Sequence, residues 1–298
     1  MALDRKRIQK PARKLRKLLK KMPPVPAPED IHSFRTNARR IETVLDSFPF
    51  RKTKNGKRLS KEIAKMRRRA GKVRDFDVLT DYVSGMPHDG SENACSVRLL
   101  EHLGAQRANQ TAKFYKLQKK YGSAMRRHLK RALKKIENIF PPKGNGSLSK
   151  KPISATVSAA ALAALIDLTE PARLGRSNLH EYRLKVKELR NLLQLAEDSD
   201  DQSFVGHLGQ VKDAIGEWHD WEVLVGLAKD TLNHGKSCRL IEDLRDRADA
   251  EFKNALQLSQ TMRRNDLRMT IRSTKHSPQT RHLDPAEQVW SATAALAA

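Results

Sequence analysis

Three basic side chains stand at helical spacing early in the chain: His32, Arg35 and Arg39. At about 100° per residue they fall within roughly 60° of one another. A rise of about 1.5 Å per residue strings their heads along two turns. Unpaired cations this close repel, so the row suits an anion that carries several oxygens. Guanidinium groups meet such oxygens through paired N–H donors, and an imidazole with an ordinary pKa of about 6.5 becomes a charged donor once protonated. Ile31, Phe34, Ala38, Ile41 and Leu45 gather on another side of the same helix and form its core face. A solvated basic surface is the plainer account of any single stretch of this kind.

Recurrence favours binding over that plainer account. The pattern returns 148 positions later as His180, Arg183 and Lys187, with Leu179, Tyr182, Val186, Leu189 and Leu193 on the apolar side. Surface charge has little reason to recur at three positions while neighbouring Arg40 gives way to Glu188. Asp30 and Asn178, both suited to N-caps, precede the two copies. Two further blocks recur in the same order: Gly71 to Leu79 as Gly216 to Leu224, and Arg98 to Leu103 as Arg239 to Leu244. An internal repeat is the simplest explanation. Glycine inside a helix costs about 1 kcal/mol relative to alanine, so the paired glycines predict close helix packing. Arg67 and Arg74 align with Lys212 and His219, again two basic positions on one stripe. Asp75 and Asp220 follow, placed either to orient a neighbouring cation or to make an ordinary ion pair.

The elements that must position these residues read as helices throughout. Periodicity predicts helices near 5–21, 31–47, 59–83, 91–121 with a continuation over 123–140, 154–169, the His180 helix to 196, 203–230 and 236–264. The proline run from Pro23 to Pro28, a flexible basic loop at Asn55-Gly56 and the Gly85 to Gly90 break separate the early ones. Pro141 to Ser147 is the best linker, and Glu197 to Gln202 reads as an acidic loop. The predicted organisation is a first repeat over 1–145, a linker over 146–153, a second repeat over 154–265 and a partly mobile tail over 266–298 that closes on a short helix from Asp284. With 38% hydrophobic residues, 5% aromatics and no strong hairpin signal, the expected class is all-α.

Charge narrows the partners. The formal net charge is +25, and it is uneven: residues 1–150 hold 39 Lys and Arg against 13 Asp and Glu, whereas the remainder holds 20 against 21. Self-repulsion of this size weakens the compact state, so an anion that binds the folded form stabilises it. Nucleic acid, an acidic membrane surface and an inorganic polyanion are the candidates. The longest apolar run, Ala159 to Ile166, is far short of the roughly 20 residues of a membrane span. The charged start of the chain lacks a secretory core, and a cytoplasmic location is expected. Cys95 and Cys238 are too few for a disulfide framework and lack zinc-ligand spacing. His32 and His180 sit among cations without co-ligands, so neither a metal nor a cofactor is expected.

These motifs resemble the CHAD family, the conserved-histidine α-helical domains. The family's first signature, His-x-x-Arg-x-x-x-(Arg/Lys), is met by His32/Arg35/Arg39 and by His180/Arg183/Lys187. Its second, Leu-Gly-x-x-Arg-Asp-x-Asp-Val, is similar to Ala70 to Val78 and to Ile215 to Val223, with His219 standing for Arg and Glu222 for the second Asp. The resemblance covers about residues 5–264. It implies two four-helix bundles related by a pseudo-twofold axis, basic helix faces lining a central groove or pore, inorganic polyphosphate as ligand, and in some members association with polyphosphate granules. The residues expected to meet phosphate are His32, Arg35, Arg39, Arg40, Arg67 and Arg74 from the first half, with His180, Arg183, Lys187, Arg190, Lys212 and His219 from the second. The near-neutral second half leads to the expectation that the first half holds the ligand more firmly.

Nucleic acid is the leading alternative, because such a charge attracts any phosphate backbone at low salt. Against it, the aromatics are few and fall mostly on apolar faces, without an evident stacking platform. Catalysis is not expected. His219-Asp220 resembles the central dipeptide of a metal phosphohydrolase but lacks the outlying ligands, and no Glu-x-Glu-x-Lys signature of triphosphate-tunnel enzymes is present.

Overall fold

The computed structural model describes residues 5–47, 53–87, 93–139, 147–195, 203–232 and 239–267. Every regular element among them is helical: α1 (Arg5–Lys21), α2 (Pro28–Ser47), α3 (Lys54–Ser84), α4 (Asn93–Ile139), α5 (Ser147–Asp167), α6 (Leu179–Leu193), α7 (Ser203–Thr231) and α8 (Arg239–Met262), then one π-helical turn at Arg263–Leu267. The all-α class is as expected. The acidic loop predicted at 197–202 lies outside the described residues, as does the tail beyond 267 with its mobile stretch and terminal helix.

Helix starts depart from expectation for local reasons. The predicted loop at Asn55-Gly56 is the first turn of α3, because Thr53 in extended conformation caps the helix and its side chain accepts from the Gly56 N–H at 3.1 Å. Such a cap contributes about 1 kcal/mol, which offsets the glycine. Asp30 is no cap either. α2 opens at Pro28, whose fixed φ suits a first helical position, and Glu29 and Asp30 both face the positive end of the helix dipole in its first turn. α5 starts at Ser147, so the predicted linker 146–153 is helical from 147 onward. The alanine-rich stretch behind it favours propagation toward its N-terminus. Asn178 does flank α6, but its side chain turns backward, accepting from Gly175 N–H at 2.9 Å and donating to Arg173 O at 2.9 Å. α4 runs without interruption through Gly122 and joins the two predicted pieces.

The helices pack as two compact units, one built from 9–136 with 219–249, the other from the described residues of 1–8, 137–218 and 250–298. These differ from the predicted halves, since α7 and α8 each supply residues to both. A helix of 29 residues is about 44 Å long, enough to serve more than one core.

In the 9–136/219–249 unit, α2 packs on α3. Ile31, Phe34, Ala38, Ile41 and Leu45 are all buried, as their spacing predicted. Phe34 meets Phe114 of α4 edge to face at 5.3 Å between centroids. Each fully buried side chain of this size contributes about 1.5–3 kcal/mol. A second cluster in the same unit joins Leu79, Val83, Leu99, Leu103, Leu224 and Leu244 around Trp221, which stacks on Tyr82 at 4.4 Å. In the other unit α5 packs on α6. Leu179, Tyr182, Val186 and Leu189 form the buried face of α6. Trp218 meets Phe252 at 5.4 Å, and the Arg176 guanidinium lies 4.3 Å above the Phe252 ring.

Candidate functional site

The first cationic group stands where α2 lies against α3. His32 and Arg40 are exposed, whereas Arg35 and Arg39 are half-buried and are not a simple solvated face. Arg35 reaches across the backbone of α3 at Gly71: a Cβ placed there would lie 3.7 Å from the Arg35 Nε. Arg67 and Arg74 share the stripe of α3 that contains Gly71, and both are half-buried. Arg67 is already engaged, since its Nε pairs with the Glu42 carboxylate of α2, the two side chains being 22% and 18% exposed. Burial pushes the Glu42 pKa upward, Arg67 and Arg39 pull it back, and Asp46 adds to the rise. Sequence reasoning searched for cations and missed Glu42. The available signal was its position, seven residues after Arg35 on the same stripe, where the second copy has Arg190.

The second group stands where α6 faces α7. Arg183 donates from Nε to the Lys212 carbonyl at 3.0 Å. Its guanidinium lies so close over Gly216 that a Cβ there would be 2.7 Å from Cζ and 3.0 Å from Nε. Arg190 lies over Gly209 in the same manner, with a Cβ position 3.3 Å from its Nε. With the Gln194 amide turned to satisfy both its groups, its oxygen accepts from the two terminal nitrogens of Arg190 at 3.1 and 3.2 Å. Lys212 points its ammonium at Asp213, which is 72% exposed. Lys187 is half-buried. Burial lowers the His180 pKa, and Arg183 and Lys187 lower it further against the opposing pull of Glu181. The imidazole is therefore biased toward its neutral form until an anion joins it.

The twelve predicted positions thus divide between the units. His32, Arg35, Arg39, Arg40, Arg67, Arg74 and the half-buried His219 belong to the unit with α2 and α3, and His180, Arg183, Lys187, Arg190 and Lys212 to the one with α6. At the five aligned stripe positions the α2/α3 face carries four cations and one carboxylate; of their counterparts, the four cations Arg183, Lys187, Arg190 and Lys212 stand together on α6 and α7, and the fifth, His219, falls in the α2/α3 unit. The near-neutral half of the sequence is therefore not the less cationic at these positions.

Asp77, the second Asp of the later motif, has a structural place that its sequence position did not reveal. It is 3% exposed. Arg107 of α4 pairs with its Oδ1 at 2.6 Å and also donates to the Pro26 carbonyl at 3.1 Å. One guanidinium thereby ties α3, α4 and the proline-rich segment before α2.

The profile of the CHAD domain matches residues 11–229. The CHAD domain from the plant Ricinus communis is 14% identical with a TM-score of 0.57, covering 89% of this chain and 93% of that one. PptA from Streptomyces chartreusis is 13% identical with a TM-score of 0.56, covering 87% and 97%. Likeness at that identity establishes a shared fold. No curated protein sequence matches significantly. With the profile reaching from α1 to α7 and the same helical fold in both solved structures, this chain belongs to the CHAD domain family.

Proposed function

We propose that this chain binds inorganic polyphosphate, a long linear polyanion, through the cationic sets of α2/α3 and α6/α7, and that it holds the polymer without cleaving it. The observation that carries this reading is the seating of Arg35 over Gly71 and of Arg183 over Gly216. At Gly216 a helix keeps a glycine, at a cost of about 1 kcal/mol, where a Cβ would invade Arg183, and Arg35 lies within ordinary contact of the aligned Gly71. A guanidinium held in place loses less entropy on meeting a phosphate than one that sweeps through solvent. A chain of phosphates repeats the same oxygens along its length and can engage several such forks in turn. Family membership supports this ligand, and the resemblance extends it to granule association in the cytoplasm. None of the described helices is long and apolar enough to cross a membrane.

Nucleic acid shares the phosphate chemistry, but Phe34, Phe114, Trp218 and Trp221 are buried and do not offer their faces to bases. Calorimetric titration with long-chain polyphosphate, beside DNA and RNA of matched phosphate content at physiological salt, separates the two ligands. Tight binding of polyphosphate alone supports the proposal, and equal or tighter binding of nucleic acid contradicts it. Phosphate release by the pure protein that is lost in His219→Ala contradicts the non-catalytic part.

A further inference from the structure

The odd member of the α2/α3 set is its carboxylate. Glu42 follows Arg35 and Arg39 along one stripe of α2 and pairs with Arg67 of α3, both side chains mostly withdrawn from solvent. Withdrawing a carboxylate from water is costly unless cations compensate, and here burial outweighs Arg67 and Arg39, which offset only part of that cost. To a guanidinium fork, the two oxygens of a carboxylate resemble one edge of a phosphate. At the aligned position of α6 stands Arg190, seated over Gly209, while Lys212 pairs outward with the exposed Asp213. One set therefore holds a built-in anion where the other holds an additional cation.

We propose that Glu42 competes with phosphate for Arg67 and Arg39, and so makes α2/α3 the weaker of the two polyphosphate-binding sets despite the basic half of the chain that carries it. This inference rests on the polyphosphate reading above. A phosphate approaching Arg67 must displace the Glu42 carboxylate or share the guanidinium with it. On α6/α7 the counterpart of Arg67 is Lys212, whose partner Asp213 is 72% exposed and remains hydrated when a phosphate displaces it, and the counterpart of Glu42 is the cation Arg190. Glu42 is thus a determinant of where along the molecule the polymer binds first, and the total charge of +25 is a poor guide to that order.

Titration of wild type, Glu42→Gln and Arg190→Glu with long-chain polyphosphate at physiological salt tests the idea, with helicity and the urea midpoint followed in parallel. Glu42→Gln keeps the shape and removes the charge. It is expected to bind about tenfold tighter, the equivalent of ~1.4 kcal/mol, with a steeper salt dependence as Arg67 becomes available to the polymer. Arg190→Glu installs the competitor on α6 and is expected to bind about tenfold more weakly. Unchanged or weaker binding by a folded Glu42→Gln overturns the inference, since Glu42 would then merely orient Arg67. Should that variant fail to fold, unchanged affinity in Arg190→Glu overturns it equally. Wild type that does not bind polyphosphate at all defeats the functional reading itself, which is a separate outcome.

Discussion

The α2/α3 and α6/α7 pairs use the same residue types at the same spacing but differ in how tightly they are built. A Cβ at Gly71 would make ordinary contact with Arg35, whereas one at Gly216 would be driven into Arg183, which also holds the Lys212 carbonyl. Near them, one pair contains Glu42 against Arg67 and the other Arg190 against Gly209. The difference separates the charge of a sequence half from the charge of a site. At physiological ionic strength fields decay over about 8 Å, so the residues beside a phosphate outweigh charges farther away than that.

The largest expected effect probes a latch whose counterpart differs. Arg107→Ala strands the buried Asp77 carboxylate and should cost about 3–5 kcal/mol of stability in urea unfolding. Glu222→Gln, at the aligned half-buried position, should cost less than about 1 kcal/mol. Equal losses would place the same latch in both motifs.

Next in size are the paired truncations. Arg183→Ala/Lys187→Ala should weaken polyphosphate binding more than Arg35→Ala/Arg39→Ala, helicity remaining intact in both. A charge-assisted hydrogen bond to phosphate is worth about 1.5–3 kcal/mol, and only those of the α2/α3 set are already opposed by Glu42. The reverse order would restore the expectation drawn from net charge.

The glycines give a smaller contrast. In Gly216→Ala the displaced Arg183 gives up its bond to Lys212 O, worth about 1.5–3 kcal/mol, while alanine returns about 1 kcal/mol of helix propensity. A net destabilisation of about 1 kcal/mol is expected, together with weaker binding. Gly71→Ala meets no clash and should be neutral or stabilising by up to about 1 kcal/mol. Thermal unfolding of the two variants checks the sign of each change.

The smallest effect is protonic. A His180 pKa held below its unfolded value near 6.5 means that the folded state binds fewer protons than the unfolded one. Its contribution to stability is present above that value and is lost as pH falls through it toward the lowered folded pKa. A bound polyanion reverses the bias, so binding near pH 6 should take up protons and show a calorimetric enthalpy that varies with buffer ionisation. The uptake should shrink in His180→Gln.

The legible parts of this molecule were local. The buried faces of α2 and α6 followed from apolar spacing, whereas the expected close packing at the paired glycines is met at Gly216 alone, by the Arg183 side chain, Gly71 having room for a Cβ. Thr53 as the cap of α3 was overlooked because Asn55-Gly56 carries a strong turn signal, which a good cap overrides. Arg107 meets Asp77 across 30 residues and two helices, beyond the reach of any periodicity. Glu42 sat in plain view on the cationic stripe, but its partner Arg67 belongs to another helix, and only the α2 and α3 packing shows that a carboxylate occupies an arginine there.

The central claim is that seated guanidinium forks, and not bulk charge, hold the polymer. Its most direct test is the affinity of Arg35→Lys/Arg183→Lys for long-chain polyphosphate at physiological salt. The double variant keeps every positive charge and removes only the two forks, so its binding should be at least about tenfold weaker, or ~1.4 kcal/mol. Affinity equal to wild type would mean that any cation at these positions suffices and that the forks do not hold the polymer.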